Sequence, residues 1–111
     1  MKHSVNVYTG KDFPANLMPL LDAYCDHVFF SGSTRLASTH KWEDQKNILA
    51  EIEAVVKLQV QVQKFLRGET KEIQLHMSFI CPIISFMGQA KMYDPEVVLY
   101  LIDLIHVASN V

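Results

Sequence analysis

A chain of 111 residues, half of them apolar and one-fifth charged, has globular composition, which excludes a disordered or fibrous polymer. Ten basic against twelve acidic side chains leave a formal net charge of −2, so no basic surface is available for a nucleic-acid backbone. A chain of this length is expected as a single globular domain over residues 1–111, with a core that needs neither disulfide nor metal.

In chain order, Val5 and Val7 alternate with polar neighbours, and His3–Tyr8 reads as a first strand. Thr9-Gly10-Lys11-Asp12 is a turn sequence. A helix is expected within Pro14–Asp26, starting near Asn16 or Leu17 because Pro19 cannot sit deep inside it; Leu17, Leu20, Leu21 and Tyr24 share its face. His27–Phe30 reads as a short strand stopped by Ser31-Gly32-Ser33, and Leu36–Thr39 as a weaker one. Ser38 or Thr39 is positioned to cap the next helix, about Lys41 to Leu66, with Glu43 and Asp44 in its first turn where the helix dipole favours acids. Within it, Leu58–Gln63 alternates with a strand-like period of two, yet no Gly or Pro separates it from the helical pattern before it, so the helix is expected to continue to Arg67-Gly68.

Ile73, Leu75, Met77 and Phe79 alternate with polar residues as a half-buried strand, which Cys81-Pro82 interrupts. Ile84, Phe86, Ala90 and Met92 read as a further strand to about Tyr93. Asp94-Pro95-Glu96 is a helix start, giving a helix over Pro95–Leu104, and Ile105–Val111 reads as a last strand. The expected fold class is α+β, a single mixed or antiparallel sheet with about three helices packed on one face.

Of the 22 formal charges, 18 lie in Met1–Glu72, leaving Ile73–Ala90 uncharged, so the last third is expected to be mostly core and the middle mostly surface. The uncharged run approaches membrane-spanning length, but Gln74, His76, Ser78, Pro82 and Gln89 would be costly in lipid, and no membrane span is expected. Met1-Lys2-His3-Ser4 carries no apolar targeting core, which points to the cytoplasm, with Cys25 and Cys81 as reduced thiols: Cys81 buried in a strand, Cys25 partly buried.

Two kinds of chemistry can be sought in these residues. Cys25, His27, His76 and Cys81 have the composition of a zinc or thiol site, but C-x-H with H-x₄-C is poor ligand spacing. Neighbouring helical residues, and odd and even residues of one strand, also point apart, so neither Cys–His pair makes a relay. No metal, cofactor or catalytic residue is expected. The carboxylates Glu43/Asp44 and Glu51/Glu53 read as a solvated helix face, and Gly32-Ser33-Thr34-Arg35 as a solvated turn with a minor capacity for anions. Trp42, the single tryptophan, is expected either to staple its helix to the sheet or, if exposed, to anchor an interface beside Arg35.

The element order, with Ser33-Thr34-Arg35 in the first loop, Trp42 before a long amphipathic helix and a closing Asp-Pro-led helix, resembles small α+β immunity proteins of bacterial toxin systems. That resemblance implies a protein that binds and blocks a cognate toxin. The expected function is therefore a non-enzymatic cytoplasmic binding protein, whose partner surface is Arg35, His40, Trp42, Glu43 and Asp44. The alternative is a small metal- or thiol-dependent enzyme or ligand-binding domain using Cys25, His27, His76 and Cys81. A third reading is a homodimer joined through the apolar C-terminal third.

Overall fold

The computed structural model describes residues 4–8 and 14–109; the expected turn at Thr9–Asp12 lies outside them. The first strand, β1, is Ser4–Tyr8. Helix α1 begins at Leu17, as expected, with Pro19 in its first turn, where the missing N–H costs no hydrogen bond. It then runs to Ala37, through both segments read as strands, His27–Phe30 and the start of Leu36–Thr39. The reason lies in the spacing of its buried residues: Leu17, Leu21, Tyr24, Cys25, Val28 and Gly32 recur every three or four positions, so one helical face is continuous across the supposed stop at Ser31-Gly32-Ser33. Gly32 is required by close approach of a neighbour, since a Cβ there would lie 2.8 Å from Ile52 Cγ1.

Helix α2 covers Trp42–Leu66, close to the expected span, with Glu43 and Asp44 in its first turn. Ser38 and Thr39 do not cap it: their hydroxyls donate back to the Arg35 carbonyl at 3.1 and 2.6 Å and finish α1 instead. Lys41, in an extended conformation, precedes α2 with no side-chain cap. The period-two stretch Leu58–Gln63 is helical. Leu58 and Val62 are buried, while the three glutamines serve separate neighbours. Gln59 and Gln63 reach α1, and Gln61 extends the second strand by accepting from Gln74 N (2.9 Å) and donating to Gln74 O (3.3 Å). Gly68, at φ +77°, ends the helix as expected.

Strand β2 is Glu72–His76, shorter than its alternation implied, and pairs antiparallel with β1 from Ser4 opposite His76 to Tyr8 opposite Glu72. Met77–Phe79 forms a single 3₁₀ turn, capped by His76 Nδ1, which accepts from Ser78 N at 3.2 Å. Helix α3, Ile80–Gln89, replaces the strand expected to reach Tyr93: Ile80, Ile83 and Met87 bury a helical stripe, and Pro82 falls in the first turn. Helix α4 starts at Pro95 as expected, with Asp94 Oδ1 accepting from Glu96 N at 3.0 Å. It continues to Ser109, replacing the strand expected from Ile105; residues 110–111 lie outside the description.

The α+β expectation is thus corrected. Among the described residues the only sheet is the two-stranded ribbon β1–β2, and four helices make up the rest of the fold. A single apolar cluster draws on every helix and on Ile73 and Leu75 of β2, and Tyr24 meets the rings of Phe79 and Phe86 edge-on at 6.2 and 5.8 Å. Among the described residues the last third, from Ile73, carries eight of the buried apolar side chains, helix α1 seven, and α2 four. No helix among the described residues is long and apolar enough to cross a membrane.

Candidate partner-binding surface

The expected partner residues gather at one end of the α1–α2 hairpin. Arg35 lies in the last turn of α1, His40 in the connection, and Trp42, Glu43 and Asp44 in the first turn of α2. The connection is held from both sides. Thr34 Oγ1 donates to Phe30 O at 3.0 Å, and Gln45 Nε2 donates to Thr39 O at 2.9 Å, tying the end of α1 to the start of α2. Together with the Ser38 and Thr39 back-bonds, these contacts leave little freedom at the point where Trp42 emerges.

Trp42 is 70 % exposed and therefore does not staple α2 to a sheet; its ring stands in water. At the same end of the hairpin, Arg35, Ser38, Thr39, Asp44, Asn47 and Ile48 line an open groove of about 370 Å³. Arg35 Nη1 lies 3.7 Å from Glu51 Oε2, both about half exposed, so solvent screens the pair and leaves the guanidinium little committed. A surface with one large ring, a guanidinium, an imidazole and two first-turn carboxylates can recognise a polypeptide of mixed polarity. The anion-holding turn considered for Gly32–Arg35 does not form, because those residues are helical.

The four residues of the alternative site are kept apart in environment. Cys25 is fully buried, and desolvation, followed by the nearby charges of Asp22 and Asp26, pushes its thiol up to about 12. A thiol held protonated to that degree is neither nucleophile nor ready metal ligand. Cys81 is exposed near the start of α3, so the burial expected for the two cysteines is reversed. His27 lies against Phe86 with the rings tilted by 39° and centroids 5.2 Å apart, and His76 Nδ1 is engaged at 2.7 Å with Ser78 Oγ. Among the described residues no three His, Cys, Asp or Glu side chains gather where a metal could be held.

One cluster escaped sequence reasoning. Gln59 Nε2 donates to Asp26 Oδ1 (2.8 Å) and Asp22 Oδ1 (3.2 Å), and Gln63 Nε2 donates to Asp22 Oδ1 (2.8 Å), lacing α1 to α2 above the core. The signal was present: Asp22, Asp26, Phe29 and Ser33 continue one helical face past Asp26, where the helix was expected to end. No protein-family model, curated protein or solved structure matches the chain.

Proposed function

We propose that this is a non-enzymatic binding protein that presents the α1–α2 turn to a protein partner, with Trp42 as its anchor. The observation that carries this reading is the exposure of Trp42, 70 %, on a connection fixed by hydrogen bonds from both helices. A rigid ring in water gains apolar contact on binding at small entropic cost, and Trp and Arg are the side chains on which binding energy concentrates. Arg35, His40, Glu43 and Asp44 supply the polar rim. The class of partner to test first is a toxin that the protein covers and blocks in the cytoplasm, where two unpaired thiols are at home. The α+β element order behind the immunity-protein resemblance is not the order of this fold, so the exposed surface carries the argument. No contact among the described residues favours the thiol or metal alternative.

Tagged protein recovers the partner from its own cells, and calorimetry then measures the affinity. Trp42→Ala is expected to weaken binding roughly 30-fold or more, as loss of a hot-spot anchor does, while shifting stability by no more than about 0.5 kcal/mol. An unchanged affinity in Trp42→Ala and Arg35→Ala alike would remove the turn as the binding surface.

A further inference from the structure

The α1–α2 pair forms a layer with two sides. One side packs on β2 and α3 through Tyr24, Val28, Leu58 and Val62. The other leaves apolar side chains in water: Phe29 and Phe30 on α1, at 40 and 70 % exposure, and Leu49, Val56 and Val60 on α2, at 47, 38 and 50 %. The two phenylalanine rings touch edge-on at 6.1 Å. Leu49, Val56 and Val60 lie seven and four residues apart, one helical stripe. The hydrogen bond from Gln59 to Asp26 sets the level of the two helices, so Phe29 and Phe30 stand beside Val56. The five side chains together expose on the order of 500 Å² of apolar surface along this face, taking an aromatic ring as roughly 200 Å², with the exposed Glu53 between Leu49 and Val56.

We propose that this face is covered by a second copy of the chain, the two hairpins stacking as a four-helix bundle with α1 of each over α2 of the other. Self-complementarity is what selects this occupant. A two-fold interface brings residue i of one copy to residue j of the other and j to i, so each hairpin must carry both halves of every contact. This one does: α1 supplies the aromatic pair and α2 the aliphatic stripe, at the same level. The charges follow the same division. Asp22 and Asp26 on α1 are bonded to amides and to no cation within ion-pair distance among the described residues, and α2 carries Lys57, which shares an exposed pair with Glu53 at 3.2 Å, and Lys64 at the level of Gln59 and Gln63, which those acids bond. Stacking α1 over α2 brings the acids of each copy to the lysines of the other. The area is of the right order as well. The 21 residues of α1 extend about 31 Å, and two helices side by side over that length give a footprint of about 600 Å², about three-quarters of the roughly 800 Å² per partner of a stable interface. Trp42 begins the same stripe, seven residues before Leu49, but stands beyond the end of α1 at Ala37, so the second copy does not reach it. This assembly is independent of the partner-binding reading of the turn.

Light scattering and sedimentation of the full chain from about 1 to 200 μM test it, over the range in which interfaces of this size associate. The expected mass is twice the 12.7 kDa of one chain, with Phe30→Asp and Val60→Asp each raising the dimer dissociation constant roughly 30-fold or more at unchanged helical circular dichroism. Lys57→Glu and Asp26→Lys, at one level through Gln59, are expected each to weaken the dimer and in combination to restore it, which a purely structural role for Asp26 would not produce. Trp42→Ala is expected to leave the dimer intact. A 12.7 kDa particle throughout overturns the proposal. So does a dimer that survives Phe30→Asp and Val60→Asp but is lost on changing Leu99, an apolar side chain of α4 that is 63 % exposed, to Asp, which would put the second copy on α4, or one lost in Trp42→Ala alone.

Discussion

At the scale of single residues, burial separates side chains that look alike in the sequence. Cys25 and Cys81 are both lone thiols, but one lies in the core and the other on the surface. At pH 8 a water-soluble disulfide reagent is expected to titrate one thiol per native chain, Cys81, and a second only in denaturant; two fast-reacting native thiols would contradict the burial of Cys25. The same burial has a pH consequence. The Cys25 pKa is raised in the folded chain to about 12, so the protonated thiol favours folding fully below the unfolded thiol value of about 8.5, and that contribution is lost as pH rises through the folded value. Gly32 poses the opposite question, because an added methyl improves helix propensity yet meets Ile52 Cγ1 at 2.8 Å and Cδ1 at 3.1 Å. The β-branched Ile52 is stiff at the atom in conflict. The clash is expected to outweigh the propensity gain of up to about 1 kcal/mol, leaving Gly32→Ala less stable by about 1 kcal/mol in urea unfolding. Combined with Ile52→Ala the two changes are expected to cost less than their sum; strict additivity would mean that the helices do not meet there.

At the scale of elements, boundaries follow local chemistry and identities follow packing. Asp94 shows a boundary that the sequence displays openly. Its carboxylate accepts from Asn16 Nδ2 at 2.7 Å and from Glu96 N at 3.0 Å, joining the starts of α1 and α4. These bonds, the Asn16 amide foremost, hold its pKa below the usual carboxylate range. A depressed carboxylate stabilises the fold above its unfolded pKa of about 3.9 and loses that contribution as pH falls through the folded value. Asp94→Ala is therefore expected to melt below the parent protein at pH 7, with the gap closing in the acid range; a gap independent of pH would assign the effect to something other than the charge. Asp94-Pro95-Glu96 and Arg67-Gly68 could be read because caps and stops are carried by the residues themselves. Val28-Phe29-Phe30 and Ile83-Ile84-Ser85-Phe86 could not, because β-branched and aromatic runs suit a strand as well as a buried helix, and the choice is made by what they pack against. The segment holding Arg35, His40 and Trp42 was legible as surface from its polar composition. Whether Trp42 turns inward or outward was not, since that depends on an α1 that continues to Ala37 and on a sheet too small to receive the ring. The lacing of Asp22 and Asp26 to Gln59 and Gln63 was hidden for the same reason, because it needs two helices at known register.

At the scale of the whole molecule, the core joins distant parts of the chain. Leu21 of α1 and Leu101 of α4 are both fully buried in the cluster that also takes in Ile73 and Leu75. No helix can leave without exposing apolar surface of the others, so unfolding is expected to be a single transition. Leu21→Ala and Leu101→Ala should each cost about 2–5 kcal/mol, a large part of the 5–15 kcal/mol that holds a domain of ordinary stability. Both should move the denaturation midpoint while leaving its steepness unchanged, because steepness follows the surface exposed on unfolding. The exposed tryptophan decides how this can be observed. With 70 % of its surface already in water, Trp42 should emit nearly as it does in the denatured chain, so its fluorescence wavelength is expected to change little across the transition seen in helical circular dichroism. A large blue shift in the native protein would show the ring to be covered. A Leu101→Ala chain that lost part of its helical signal in a separate early step would show α4 to be a lid, able to leave while α1 and α2 stay folded, and the common core would then reduce to the hairpin and β2.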